Sequence, residues 1–467
     1  MKSRLLALGA LVGMAAPGPV WAQEEDVPPP SLDAEAGRDE DIFGPVVTDP
    51  PVDGAVPPPV EATSIDAALD RADSTLAGGG RLWWRVAGVV PQGVKDAGDV
   101  ALTAPSLLDL FVDARPNDRV RAYARARVNW DFSAVDGEVD PFTGEPVVDP
   151  ELLLDQAWLK FDAAKRVFFT AGRQRVKWGV GRFWNPTDVL SASVLDPLAA
   201  DDLRTGADLV RVNVPVGVSN LVAVAQLSGA ESLEDVGGAA RAEVVVGNTE
   251  MSVSAASRKG TNTRLGADVS TGVWVLDLRV EAAVSRGDHR WEGAFDWTTG
   301  AIPEQVDTSE MWIPQVVAGL ETSVKTGVED TITVGVEGFY NGRGQDDATL
   351  YPWLLTVAEF QPFYLGTWYG GAYATLPCPG SCDDHNFILS GLMNFSDETG
   401  IVRADWQGNV LTWLQLDAWL ATHLGPVGGE FRFALEVPAI PGVAGLEDGL
   451  SVAAPRLSTG LGAQVRF

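Results

Sequence analysis

Between positions 119 and 131 the chain alternates without a break. Arg119, Arg121, Tyr123, Arg125, Arg127, Asn129 and Asp131 fall on one side, and Val120, Ala122, Ala124, Ala126, Val128 and Trp130 on the other. Successive side chains of a strand point to opposite faces, so this stretch makes a strand that is wet on one face and apolar on the other. A helix would carry its charges every three or four positions, and here they recur every two. The pattern returns at 274–285, where Trp274, Leu276, Leu278, Val280, Ala282 and Val284 oppose Val275, Asp277, Arg279, Glu281, Ala283 and Ser285. It returns at 430–437, and again at 456–467, where Leu457, Leu461, Ala463, Val465 and Phe467 share a face. Weaker versions occupy 82–90, 152–162, 167–176, 207–214, 219–227, 250–257, 263–270, 315–324, 331–340 and 387–395.

Alternating strands of about nine to eleven residues joined by turns are the mark of a transmembrane β-barrel. Among sheets, only a closed one satisfies its backbone hydrogen bonds inside lipid. Soluble sandwiches also alternate, but with strands of about 5–6 residues. Trp84, Trp130 and Trp274 sit at the ends of apolar faces, where rings anchor at the membrane–water boundary. The predicted fold is therefore all-β, a transmembrane antiparallel barrel of about 18 strands (bracketed by 16 and 20) over residues 81–467. Short turns are predicted at 115–117, 163–165, 215–217, 247–248, 271–272 and 425–428, and long loops at 132–150, 177–205, 286–311, 341–350, 376–385 and 439–455. The stretch 350–375 reads as two strands or as one strand with a loop.

Ahead of the barrel, residues 1–22 read as a signal peptide: Lys2 and Arg4, an apolar run from Leu5 to Ala16, then Val20-Trp21-Ala22 as the cleavage site. Residues 23–80 read as a disordered periplasmic linker. Proline runs punctuate it, and fourteen acidic residues from Glu24 to Asp73 meet only Arg38 and Arg71. Ile65, Leu69, Ala72 and Leu76 allow one short helix over 62–76, either a plug or part of a tether.

Composition narrows the chemistry. A net charge of −30 argues against nucleic-acid partners, which call for a basic surface. Two cysteines and three histidines leave little for a metal, haem or iron–sulfur centre, so no cofactor is expected. His289, His385 and His423 lie in no Gly-x-Ser-x-Gly setting, and no catalytic residue is assigned. Cys378 and Cys382, in a predicted surface loop, read as a local disulfide in an oxidising envelope.

The candidate site is a basic strip. Arg119, Arg121, Arg125 and Arg127 share one strand face, and Arg173, Arg175 and Lys177 another. Lipid exposure would cost each about 2–4 kcal/mol near the midplane, so the lumen is the cheaper place for them. Arg182, Asp188, Asp196, Asp201, Asp202 and Arg204 follow in the next loop. Basic and acidic rows opposed at an infolded loop would form an anion pathway. The competing reading pairs these cations with Asp277, Glu281, Glu321 and Glu337 as wall bracing.

Leu154-Asp155-Gln156-Ala157-Trp158-Leu159, the strand with Gly172-Arg173-Gln174, Trp178-Gly179 and the segment Asp201-Asp202-Leu203-Arg204 resemble a group of outer-membrane barrels. That group includes the alginate-export and capsule-assembly barrels and related porin-like families, and the resemblance covers residues 150–210. It implies a large monomeric barrel handling anionic or small polar solutes or polysaccharide. Phe467, closing an alternating strand, resembles the signal read by the barrel-assembly machinery. Expected partners are outer-membrane lipid and lipopolysaccharide, the latter through cations bridged by Asp346 and Asp347. The resulting expectation is a porin-like channel, with a closed surface-assembly barrel as the alternative.

Overall fold

The alternating stretches pair with one another into a closed wall in the computed structural model, which describes residues 75–134, 149–191, 195–198, 202–296, 299–326, 330–377, 384–439 and 449–467. Among these residues eighteen antiparallel strands form the barrel, as the sequence predicts. The first six are β1 (Leu76–Pro91), β2 (Pro105–Asn117), β3 (Val120–Asp131), β4 (Glu151–Ala163), β5 (Val167–Gln174) and β6 (Ala207–Val216). Next come β7 (Ser219–Gln226), β8 (Gly237–Val246), β9 (Thr249–Ser257), β10 (Arg264–Val273), β11 (Leu276–Arg286) and β12 (Trp312–Thr326). The last six are β13 (Asp330–Asn341), β14 (Trp368–Pro377), β15 (His385–Asn394), β16 (Thr399–Leu411), β17 (Leu414–Leu424) and β18 (Pro455–Arg466). Each pairs with its neighbours in sequence, and β1 closes on β18 in a register running from Arg81↔Arg466 to Pro91↔Pro455.

That seam corrects the boundary at residue 81. Gly78, Gly79 and Gly80 are strand residues of β1. Gly80 and Phe467 exchange both backbone hydrogen bonds, at 2.8 and 3.0 Å. A Cβ at Gly80 would stand 2.7 Å from the Asp109 carbonyl and 2.8 Å from the Phe467 ring, so a side chain has no room there. Residues 1–74, with the predicted leader and most of the predicted helix, lie outside the described residues; Leu76, the helix's last position, opens β1.

Strand parity sorts the connections. Those at 118–119, 164–166, 217–218, 247–248, 274–275, 327–329, 378–384 and 412–413 share one end of the barrel, and the remaining ones, most of them longer, share the other. Three predictions change as a result. The strands ending at Pro377 and starting at His385 meet at the short-turn end, not among the long loops; Cys378 and Cys382 themselves lie outside the described residues. Gly425 to Gly428 begin a long loop-side connection, and 430–437 is no barrel strand: Glu430–Arg432 forms a 3-10 turn and Leu435–Val437 pairs only with Leu450–Val452. Within 350–375, read as two strands or as one with a loop, the second alternative holds: one strand forms, preceded by a short helix α1 (Tyr351–Thr356).

The faces follow the alternation. Val86, Leu110, Val280, Leu320, Val336, Leu389, Leu420 and Leu461 point outward and are exposed, while Asp109, Arg127, Arg241, Glu281, Glu337 and Arg403 point inward and are buried. Trp312 and Trp368 stand exposed at loop-side strand ends. Trp274 and Trp413 stand in turns at the opposite end, so rings mark both borders of the apolar belt. Trp274 has φ of 59° in the turn itself, two residues before β11, and does not begin that strand's apolar face as predicted. Leu320→Arg, in the middle of β12 on the outer face, is expected to destabilise the barrel by about 2–4 kcal/mol in a denaturant titration in lipid vesicles. A change near zero would remove Leu320 from the lipid face.

Candidate functional site: a segment folded into the lumen

The described parts of 175–206 leave β5 and return to β6 through the inside of the barrel. Two carboxylates on the far wall hold them. Glu281 of β11 accepts from the backbone N–H groups of Val180 (2.8 Å), Gly181 (3.1 Å) and Thr187 (2.6 Å), and from the Thr187 hydroxyl (2.8 Å). Glu337 of β13 accepts from the N–H groups of Arg182 (2.6 Å), Phe183 (2.9 Å) and Trp184 (3.1 Å). A loop cannot supply its own ladder partners, so carboxylates on the wall satisfy donors that would otherwise be buried unpaired. Gly179, at φ of 99°, permits the approach, because a Cβ there would lie 2.5 Å from the Glu281 carboxylate.

The tip of the segment is aromatic. Phe183 and Trp184 pack among Val317, Phe339, Tyr369, Tyr373, Leu392 and Phe363. The Trp184 ring stacks on Phe339 with centroids 5.4 Å apart, and its indole N–H donates to the Phe363 carbonyl at 2.9 Å. This core fills part of the loop-side lumen. Below it Arg182 lies 3.7 Å over the Tyr373 ring, and Arg279 pairs with Glu321 at 2.6 Å.

The predicted basic strip divides. Arg121, Arg125 and Arg127 do face inward, each beside an acid that the sequence reading did not single out. Arg121 meets Asp113 at 2.9 Å, Arg127 meets Asp109 at 2.7 Å, and Arg125 lies 3.9 Å from Asp155. Asp155, fully buried, also takes Arg127 at 3.4 Å and Arg175 at 2.6 Å. Arg119 sits in a turn at the rim, paired with Asp162 at 3.2 Å. Arg173, Arg175 and Lys177 do not share a strand face, because β5 ends at Gln174. Arg173 pairs across the ladder with Asp208 at 2.8 Å, on the face opposite the inward Gln174 and Leu209, and so points out of the barrel.

Within the segment Arg204 bridges Asp188 (2.9 Å) and Asp202 (2.6 Å). Burial works against the Asp202 charge, but the Arg204 hydrogen bond and charge prevail and hold its carboxyl below the usual range. Asp196 accepts from the Leu198 N–H at 2.9 Å, and Asp201 lies outside the described residues. Lys177 remains exposed to water, yet enclosure by the surrounding protein pushes its pKa down. Of the acids anticipated as wall bracing, Glu321 pairs with Arg279, whereas Glu281 and Glu337 bind backbone. Among the described residues no group of three or more acids, histidines or cysteines is placed to hold a metal.

A closed antiparallel barrel, apolar outside, charged inside and crossed by an infolded segment, has the architecture of a transmembrane β-barrel. No protein family model matches the chain, and no curated protein matches it. Among solved structures it is similar to OpdL of Pseudomonas aeruginosa, at 11% identity and a TM-score of 0.49, covering 84% of this chain and 98% of that one. OccK11 (OpdR) of the same organism matches at 8% identity and 0.47, covering 84% and 96%. Wzi of Escherichia coli, an outer-membrane protein of group 1 capsule assembly described as a carbohydrate-binding barrel, matches at 12% and 0.47, covering 86% and 87%. The likeness at these values is one of barrel outline.

Proposed function

We propose that this protein is a channel of the bacterial outer membrane for small polar or anionic solutes, narrowed by the segment 175–206. The observation that carries this reading is Lys177, a cation of that segment whose side chain stays exposed to water. Arg182, over the Tyr373 ring, and Arg279, paired with Glu321, add cations where the segment meets the far wall, and cations lining a path favour anions. The leader at 1–22, the assembly signal at Phe467 and contact with lipopolysaccharide complete the proposal, as expectations from sequence.

Conductance and reversal potential of the refolded barrel in a planar bilayer under a salt gradient test it. Discrete, anion-biased steps are expected, and Lys177→Glu is expected to move the reversal potential toward cations. An unmoved potential would take Lys177 off the path. A second reading, a closed barrel whose loops engage polysaccharide or a partner protein, is favoured by the aromatic core around Trp184. A sealed bilayer from folded protein would select it.

A further inference from the structure

Two guanidinium groups meet at the loop-side end of the lumen. Arg264 is the first residue of β10, and its register partner across the ladder is Ser285 of β11. Ser285 is buried and faces inward, and its hydroxyl accepts from Arg343 of the β13–β14 connection through both Nε (3.1 Å) and Nη2 (2.9 Å). Directly opposed residues of neighbouring strands hold their Cβ atoms about 4.5–5.5 Å apart, so the Arg343 head is docked beside the Arg264 side chain. Arg264 Nη1 donates to the Pro186 carbonyl of the infolded segment at 3.1 Å. Two positions further along the same inner face, a Cβ at Gly266 would stand 2.6 Å from the Thr187 methyl. The pair thus sits on the loop side of the place where the segment meets β10.

Elsewhere the inward arginines meet carboxylates, as Arg121 meets Asp113, Arg127 meets Asp109 and Arg241 meets Asp268. Neither Arg264 nor Arg343 forms an ion pair among the described residues. Arg264 bonds to the Pro186 carbonyl, and Arg343 to the Ser285 hydroxyl and the Arg286 carbonyl, at 2.6 Å. The acids whose charge reaches them are engaged with other partners, Asp188 with Arg204 at 2.9 Å and Asp288 with His289 at 3.3 Å. Burial, and after it the Arg264 charge, push the Arg343 pKa down. Nε and Nη2 of Arg264 and Nη1 of Arg343 make no hydrogen bond among the described residues, and both side chains are only half-buried. Donors remain to spare, on heads already held in place.

We propose that Arg264 and Arg343 form a binding site for a phosphate group at the loop-side entrance to the passage narrowed by the segment 175–206. Each guanidinium presents a planar fork that matches a pair of oxygens. A phosphate carrying nearly two charges offers separate edges to two forks at once, whereas a carboxylate has one edge and one charge. The pinning of Arg343 by Ser285 and Arg286 lowers the cost of ordering it on binding. This deepens the anion reading by naming a solute class, but binding itself does not require conduction.

The test is isothermal titration calorimetry of the full refolded barrel at neutral pH and low salt, with inorganic phosphate, methyl phosphate and acetate. Bilayer current carried by chloride is followed in parallel as phosphate is added. Saturable phosphate binding and a matching saturable fall in current are expected, with acetate weaker by about tenfold or more. Either phosphate sustains the site, and the tighter of the two tells a free ion from a monoester. Arg264→Ala and Arg343→Lys, which keeps the charge but not the fork, are each expected to weaken binding about tenfold or more. Arg264 is tied to the fold by its single bond to Pro186, so its variant keeps the test decisive should the other fail to fold. Phosphate binding that is lost with Arg264 in a barrel that never conducts would sustain the site and overturn the channel. Conduction without phosphate binding, acetate held as tightly as phosphate, or binding that survives both substitutions would overturn the site.

Discussion

Replacing Glu281 and Glu337 together by alanine is expected to release the infolded segment and raise single-channel conductance several-fold. Glu281 and Glu337 accept all the backbone N–H bonds described above from Val180 through Thr187, and the Thr187 hydroxyl. A buried donor left without a partner costs about 1–3 kcal/mol, so several lost at once exceed what one short loop can absorb. The segment would move to where water can satisfy those groups. Trypsin digestion, reading access to Lys177 and Arg182, reports the release independently of current. Release without a change in conductance would show that the segment does not set the width of the path.

Asp155→Ala is expected to cost about 3–5 kcal/mol of stability, since removing one partner strands buried charge. The loss is concentrated because Asp155 is fully buried and serves Arg125, Arg127 and Arg175 together, tying β3 and β4 to the start of the infolded segment. Arg127 keeps Asp109 at 2.7 Å, so Arg175 bears the greater part of the loss. Asp155→Asn, retaining an acceptor, should lose less. The midpoint of urea unfolding, read by the mobility difference between folded and unheated barrel and its boiled form, measures both. A midpoint within experimental scatter of the parent would mean that water reaches these arginines.

The wall was legible in the sequence because a period of two reports each strand directly. The inward row Arg121, Arg125, Arg127 and the outward row Leu278, Val280, Ala282 both fall where alternation places them. Alternation carries no information past a strand's end, and there the reading failed. Extending the β5 pattern beyond Gln174 put Arg175 and Lys177 on a face with Arg173, although the three go to different places. The alternation at 430–437 likewise has the right period without a neighbour to pair with in the wall, because Glu430 is drawn inward by Tyr369 and Asn394. Glu281 and Glu337 were recognised as lumenal, but their true partners are backbone amides about a hundred residues or more away, which leave no mark in a single sequence. Asp155, within Leu154–Leu159, carries no such mark either, since its importance lies in two arginines of β3 and one of the connection after β5.

The seam between β1 and β18 sets the order in which such a molecule can be made. Every other pairing in the wall joins strands adjacent in sequence, through turns as short as two residues, so each hairpin can form locally and early. The β1–β18 ladder has the greatest loop-closure entropy to overcome and comes with no local turn to nucleate it. Until it forms, the growing sheet carries two bare edges of unpaired amides and carbonyls, each a template for another chain. Glycines at 78–80 leave the first edge slim enough for the Phe467 ring to settle onto it. Closure is thus a late kinetic event, and the interval before it is when the protein is most exposed to aggregation.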